Sequence, residues 1–133
     1  MTSFDPVREQ VRSLWQALAR GEASRQDAVA WAHLQLSDQA WTDEVTHDGL
    51  QHLGDYVHES WTHADAAVGA RVLAHYERWI EEVRAFERDP AAWNHQWALA
   101  YLQRLPPALR MRAAVSFAVE GFLSEDEVEH FRD

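Results

Sequence analysis

The chain has 133 residues, 47 % of them apolar, and a formal net charge of −10; a chain of that size buries roughly two-thirds of its unfolded surface, so a single domain with its own core is expected. It contains no Cys, which excludes disulfides, thiolate metal sites and a Cys nucleophile. The acidic balance works against nucleic acid and anionic membranes, which both need Lys or Arg, and no apolar run approaches the ~18–20 residues of a spanning helix.

The punctuation is helical from the start. Asp5-Pro6 is an N-cap followed by proline at the first helical position, and Val7, Val11, Leu14, Trp15 and Leu18 recur at helix spacing. Gly21 supplies the left-handed residue that stops this helix. Ser24, with Asp27 three residues on, opens a second helix whose apolar face is Ala28, Trp31, Ala32 and Leu34, ending at Ser37-Asp38. Thr42 or His47-Asp48 opens a third, with Leu50, Leu53, Val57, Trp61 and Ala64 as its buried stripe. Gly54 inside it weakens the helix by about 1 kcal/mol of propensity.

In the fourth helix Val72, Tyr76, Trp79, Val83 and Phe86 form a heptad-like seam that Leu73 and Ile80 widen. Asp89-Pro90 repeats the start signal, and Trp93, Trp97 and Tyr101 follow at four-residue spacing. Pro106-Pro107 ends that helix and starts a sixth, with Met111, Val115, Ala118 and Phe122 as its face. Gly121 stops it, and Ser124 with Glu127 caps a last short helix. No segment alternates with period two. The expected fold is all-α, a single-domain antiparallel bundle of six or seven helices over residues 1–133.

Charge is distributed unevenly. From Gln26 to Ala70 the chain has no Lys or Arg, yet holds eight acids and His33, His47, His52, His58 and His63. Residues 37–67 alone carry seven acids and no base. A charge placed this way is a statement about partners. On a helix continued through the third element at ~100° per residue, His52, Asp55, Glu59 and His63 fall within about 80° of each other, opposite the apolar stripe. The reading is a surface for a basic protein partner formed by Asp43, Glu44, Asp48, Asp55, Glu59 and Asp65, with Trp41 and Trp61 as aromatic anchors. His52 and His63 are its pH-sensing groups, because neighbouring carboxylates favour imidazolium.

Other chemistry is weighed against this surface. Glu44-x-x-His47 and Glu127-x-x-His130, with Glu9 and Glu81 or Glu82, match the donor types of a di-metal carboxylate bundle. Both motifs sit in polar segments, whereas such ligands point inward among apolar neighbours, and Glu127 is explained as the partner of the Ser124 cap. No metal or other cofactor is therefore expected; a metal-dependent bundle enzyme stands as the alternative, and a homodimer seam through exposed aromatics as a third reading. No serine lies in a G-x-S-x-G context and there is no glycine-rich phosphate loop. His75 and His95, beside apolar positions, read as boundary or hydrogen-bonded core histidines. G-x-x-S-x-x-[D/E] occurs at Gly21–Asp27 and at Gly121–Glu127; a helix-turn-helix there would present Glu125, Asp126 and Glu129 to phosphates and is rejected. The opening Met-Thr-Ser-Phe-Asp-Pro lacks the basic and apolar segments of an export signal, so a cytoplasmic location is expected.

The stretch Leu14–Trp31, a helix, a Gly-Glu-Ala-Ser turn and a second helix carrying an aromatic, resembles the start of small helical bacterial immunity proteins of the colicin-D immunity type. The likeness is confined to the N-terminal quarter of the chain. It implies a non-catalytic inhibitor that masks the basic active site of a nuclease toxin with carboxylates.

Overall fold

The computed structural model describes residues 5–131, and among them every regular element is helical. In chain order these are α1 (Pro6–Ala19), α2 (Arg25–Ser37), α3 (Glu44–Asp55), a 3-10 turn (Tyr56–His58), α4 (Ala66–Arg88), α5 (Pro90–Arg104), α6 (Pro107–Val119) and α7 (Glu125–Glu129). The fold class is an all-α helical bundle. Its chain divides into two compact units, the first ending at Arg84 and the second beginning at Ala85, a boundary inside α4.

In the first unit the starts of α1 and α3 are stitched together by Asp5, which is almost fully buried. Its Oδ1 caps α1 through the Val7 N–H (2.9 Å), and its Oδ2 accepts from the Thr42 N–H (2.9 Å) and hydroxyl (2.8 Å). α2 packs chiefly on α3, and α1 lies against both. The core takes Val11, Trp15 and Leu18 from α1, Ala28, Val29 and Ala32 from α2, Val45, Leu50 and Leu53 from α3, and Val72, Tyr76, Trp79 and Val83 from α4. Trp15 stacks on Trp79 at 5.6 Å and meets Tyr76 edge-on at 5.9 Å. The Trp79 indole N–H donates to the Val45 carbonyl at 2.8 Å. Gly49 makes this approach feasible, since a Cβ there would stand 2.6 Å from the Trp79 ring.

The third element differs from its sequence reading. α3 stops at Asp55, a single 3-10 turn follows, and Glu59 is already extended (φ −99°, ψ 166°). Val57 is therefore 46 % exposed instead of buried, and Trp61 and Ala64 lie in a loop. Arg25 explains the break. Its guanidinium donates to the carbonyls of Tyr56 (3.1 Å) and Trp61 (2.5 Å), and its own N–H donates to Thr62 O (2.7 Å), so the chain is held open across the start of α2. On α2, Leu34 is 55 % exposed and Trp31 half-buried, because the face toward α3 is made by Ala28, Val29 and Ala32.

In the second unit α5 packs on α6, and α6 on α7. Ala98, Leu102, Ala114, Leu123 and Val128 form one buried cluster in it. α6 presents Met111, Ala114, Phe117 and Ala118 inward, so Val115 faces out, 45 % exposed. Phe117, which the spacing missed, meets Trp97 (5.5 Å), Tyr101 (5.6 Å) and Phe122 (6.2 Å). His95, half-exposed, places Nε2 2.5 Å from the Glu127 carboxylate, linking α5 to α7.

Candidate functional site

The expected acidic surface begins at the N-terminus of α3. Asp43 caps that helix, its Oδ1 accepting the Thr46 N–H at 2.9 Å, while Oδ2 lies 3.4 Å from Arg8 Nη1. Both side chains of this pair are nearly buried, so Asp43 is a structural residue in place of the partner contact expected of it. Glu44 Oε2 is 3.2 Å from His47 Nδ1, and the His47 ring stacks on Trp41 at 4.3 Å and 15°. Trp41 is thereby fixed beside α3, half-buried. One turn on, His52 Nδ1 lies 2.8 Å from the Asp48 carbonyl oxygen and 3.6 Å from its carboxylate. Asp55 is exposed at the last helical position.

Glu44, Asp48, Gln51, His52 and Asp55 all avoid the α3 core face of Val45, Thr46, Gly49, Leu50, Leu53 and Gly54. At ~100° per residue they occupy an arc of about 100°. This is a shorter ridge than the sequence suggested, and of different membership.

Glu59 and His63 do not belong to it. Beyond the 3-10 turn, Glu59 accepts two hydrogen bonds from Arg71 (2.9 and 2.5 Å) and one from the Trp61 indole N–H (2.5 Å). The Arg71 bonds are the main reason its pKa falls from 4.5 to about 2. Trp61 meets Tyr56 edge-on at 6.0 Å and lies under the Arg25 guanidinium, 6.0 Å from the ring centroid. Asp65 caps α4 by accepting the Val68 N–H at 2.9 Å. His63 is exposed in the loop between.

Behind this loop Tyr56 and His75 share a 2.9 Å hydrogen bond. Burial raises the Tyr56 pKa to about 12 and, with Arg78 and Arg71 nearby, lowers that of His75. Both shifts favour the neutral forms, so the phenol donates and the imidazole Nδ1 accepts. A phenol held protonated and an imidazole held neutral in one closed pair form a structural joint between the 3-10 turn and α4. His75 and His95 are both hydrogen-bonded boundary histidines, as their positions suggested.

Three arginines enter the acid-rich stretch from outside it, Arg8, Arg25 and Arg71, and sequence reasoning missed the first two. None lies within residues 26–70, and no local pattern announces a pairing across 12 to 36 residues. For the di-metal alternative, Glu44 pairs with its own His47, and Glu127 holds His95 and the Ser124 backbone. Among the described residues no three His, Asp or Glu side chains gather at metal-binding distance. Among them too, no helix is long and apolar enough to cross a membrane. In comparisons with known proteins the chain matches no family model, no curated protein and no solved structure.

Proposed function

We propose that the protein is a non-catalytic acidic helical protein that binds and inhibits a basic protein partner, as an immunity protein does with a nuclease toxin. The observation that carries this reading is the outward face of α3. It gathers Glu44, Asp48 and Asp55 beside the stacked Trp41–His47 pair, in a 45-residue stretch without Lys or Arg and a chain of net charge −10. Two of the seven acids in residues 37–67, Asp43 and Glu59, are neutralised by Arg8 and Arg71, which leaves a local excess of five carboxylates. Carboxylates on a rigid helix steer a cationic partner and speed encounter, and a fixed aromatic beside them supplies desolvated contact. The partner is expected in the same compartment, which we take to be the cytoplasm.

The test uses the tagged 133-residue chain and its Glu44→Gln/Asp48→Asn/Asp55→Asn variant as bait in extract of the source cells. The expected partner has a basic binding domain, is held at least about tenfold more weakly by the variant, and is released as salt rises through the range where the Debye length drops below ~8 Å. A neutral or acidic partner, or capture indifferent to both the variant and salt, overturns the reading.

A second reading, a homo-oligomeric subunit, draws on α6. That helix contains no Asp or Glu, and Leu109, Val115 and Val119 (84 % exposed) lie on its outside. Light scattering on the purified protein decides it: a dimer that Val119→Asp converts to monomer supports it, and a monomer at all concentrations ends it.

A further inference from the structure

Between α1 and α2 lies an open groove of about 540 Å³, lined by Glu9, Gln10, Ser13 and Leu14 from the first helix and Asp27 and Trp31 from the second. That volume is in the ~300–1,000 Å³ range of sites that take a side chain or small ligand. The lining follows from helix geometry: Glu9 with Ser13, Gln10 with Leu14, and Asp27 with Trp31 are all i, i+4 pairs, so each helix turns one strip of surface to the gap. The lining joins two large apolar side chains, Leu14 and Trp31, to two charged groups, Glu9 and Asp27, both carboxylates.

Trp31 is singular among the seven tryptophans. Trp15, Trp41, Trp61, Trp79, Trp93 and Trp97 all pack against another aromatic ring, whereas among the described residues Trp31 has no ring partner and no hydrogen bond. It is half-buried in the groove wall, with an indole face and an N–H both unspent. Asp27 is exposed and donates only its backbone N–H, to the Ser24 hydroxyl, so its carboxylate is not consumed by the cap. Arg12, three residues from Glu9 on α1, does not line the groove.

We propose that this groove binds an arginine side chain presented by a partner segment, at a site separate from the acidic face of α3. A guanidinium is planar and weakly hydrated, stacks on an indole, and donates in-plane hydrogen bonds to carboxylates at its edge. Trp31 offers the stacking face, Leu14 the contact for the methylene stem, and Glu9 and Asp27 the acceptors. A lysine ammonium would find the same charge but could not stack while donating to both carboxylates.

The probe is acetyl-Gly-Arg-Gly-amide titrated into the full chain, with the seven tryptophan indole N–H resonances followed by NMR. The Trp31 resonance should shift saturably while the other six stay in place. The lysine twin should bind at least about threefold more weakly, and the citrulline twin, isosteric but uncharged, should not shift it. Glu9→Gln/Asp27→Asn should weaken the arginine peptide by roughly fivefold or more with the indole spectrum otherwise unchanged. Glu44→Gln/Asp48→Asn/Asp55→Asn should leave it bound, which separates this site from the α3 face. A citrulline peptide that shifts Trp31 equally, a lysine twin that binds as tightly, an unaffected Glu9/Asp27 variant, or no movement of Trp31 overturns the proposal.

Discussion

The turns at Gly21 and Gly121 share sequence grammar and backbone, yet they serve different surroundings. In each, a glycine at positive φ (75° and 85°) follows the helix cap. In each the residue after it donates back six positions inclusive, Glu22 to Ala17 and Phe122 to Phe117, and a serine hydroxyl then caps the next helix. This is the Schellman stop joined to an N-cap. The first turn is wedged into its unit: a Cβ on Gly21 would stand 2.8 Å from the Ala64 carbonyl oxygen. The second stands free, with nothing within 4 Å of a Cβ on Gly121. A shared motif therefore reports a shared local conformation and nothing about what the turn supports.

Alanine at the two glycines should separate these roles most widely. Gly121→Ala meets only the left-handed backbone penalty, partly offset by a stiffer unfolded chain, a net cost of ~1 kcal/mol. Gly21→Ala adds a collision with backbone that has no rotamer by which to yield, bringing the loss to ~3 kcal/mol. Equal shifts of the urea midpoint in the two variants would show that the turns are interchangeable after all.

The next effect concerns how the loop above the first turn is closed. Glu59 has a folded pKa of about 2 against an ordinary 4.5, so its ionised form is favoured in the fold. The associated stability is fully present above pH ~4.5 and is lost as the pH falls toward ~2. The partner Arg71 is 43 % exposed, so solvent screening limits the pair to about 1 kcal/mol. Arg71→Ala should be less stable than the parent by that amount at about pH 6 and indistinguishable from it at about pH 2. A gap that persists at the acid end would assign the loss to packing of the arginine stem instead.

How much of this was legible beforehand follows from range. The helices of the described residues, their caps and the glycine stops at Gly21 and Gly121 are local events, and Asp5, Ser24, Asp89 and Ser124 cap where their spacing said they would. The seam of α4 from Val72 to Phe86 is likewise a property of one helix, and all five residues are buried. What the sequence concealed are contacts between distant segments. A helix through Trp61 was reasonable on periodicity until Arg25 is seen drawing the carbonyls of Tyr56 and Trp61 away from it. Likewise the acidic stretch looked unopposed because Arg8 and Arg71 lie outside it. Of the expected site residues, Glu44, Asp48, His52 and Asp55 share one outward face because a single helix carries them.

The caps after the two turns sharpen the comparison further. Glu127 closes a complete capping box on Ser124 and also holds His95, whereas Asp27, one methylene shorter, makes no return bond to Ser24. Glu127→Ala should cost ~1 kcal/mol, read as faster amide exchange through Glu125–Glu129, because a five-residue helix depends on its cap. Asp27→Ala should stay within about 0.5 kcal/mol, the helix-dipole contribution of an exposed first-turn acid. A larger loss at Asp27 would mean that its carboxylate supports the α1–α2 packing, which conflicts with its being available to a ligand.

The smallest effect comes from a third turn of the same kind. After α2, Ala40 donates to Gln35 and Gln39 to Leu36, the same Schellman pattern, but the left-handed position is held by Gln39 at φ 51°. A side chain there carries the penalty that the two glycines avoid, while gaining the lower unfolded entropy that they lack. The two terms are close, and steric strain is the larger. Gln39→Gly should therefore stabilise the protein by ~0.5 kcal/mol, visible as a small rise in the urea midpoint with an unchanged slope. The sign is informative, because Gln39 is exposed and directly precedes Ala40 and Trp41 at the approach to α3. Destabilisation would show that the glutamine side chain helps fix that approach, and hence the position of Trp41 beside the acidic face.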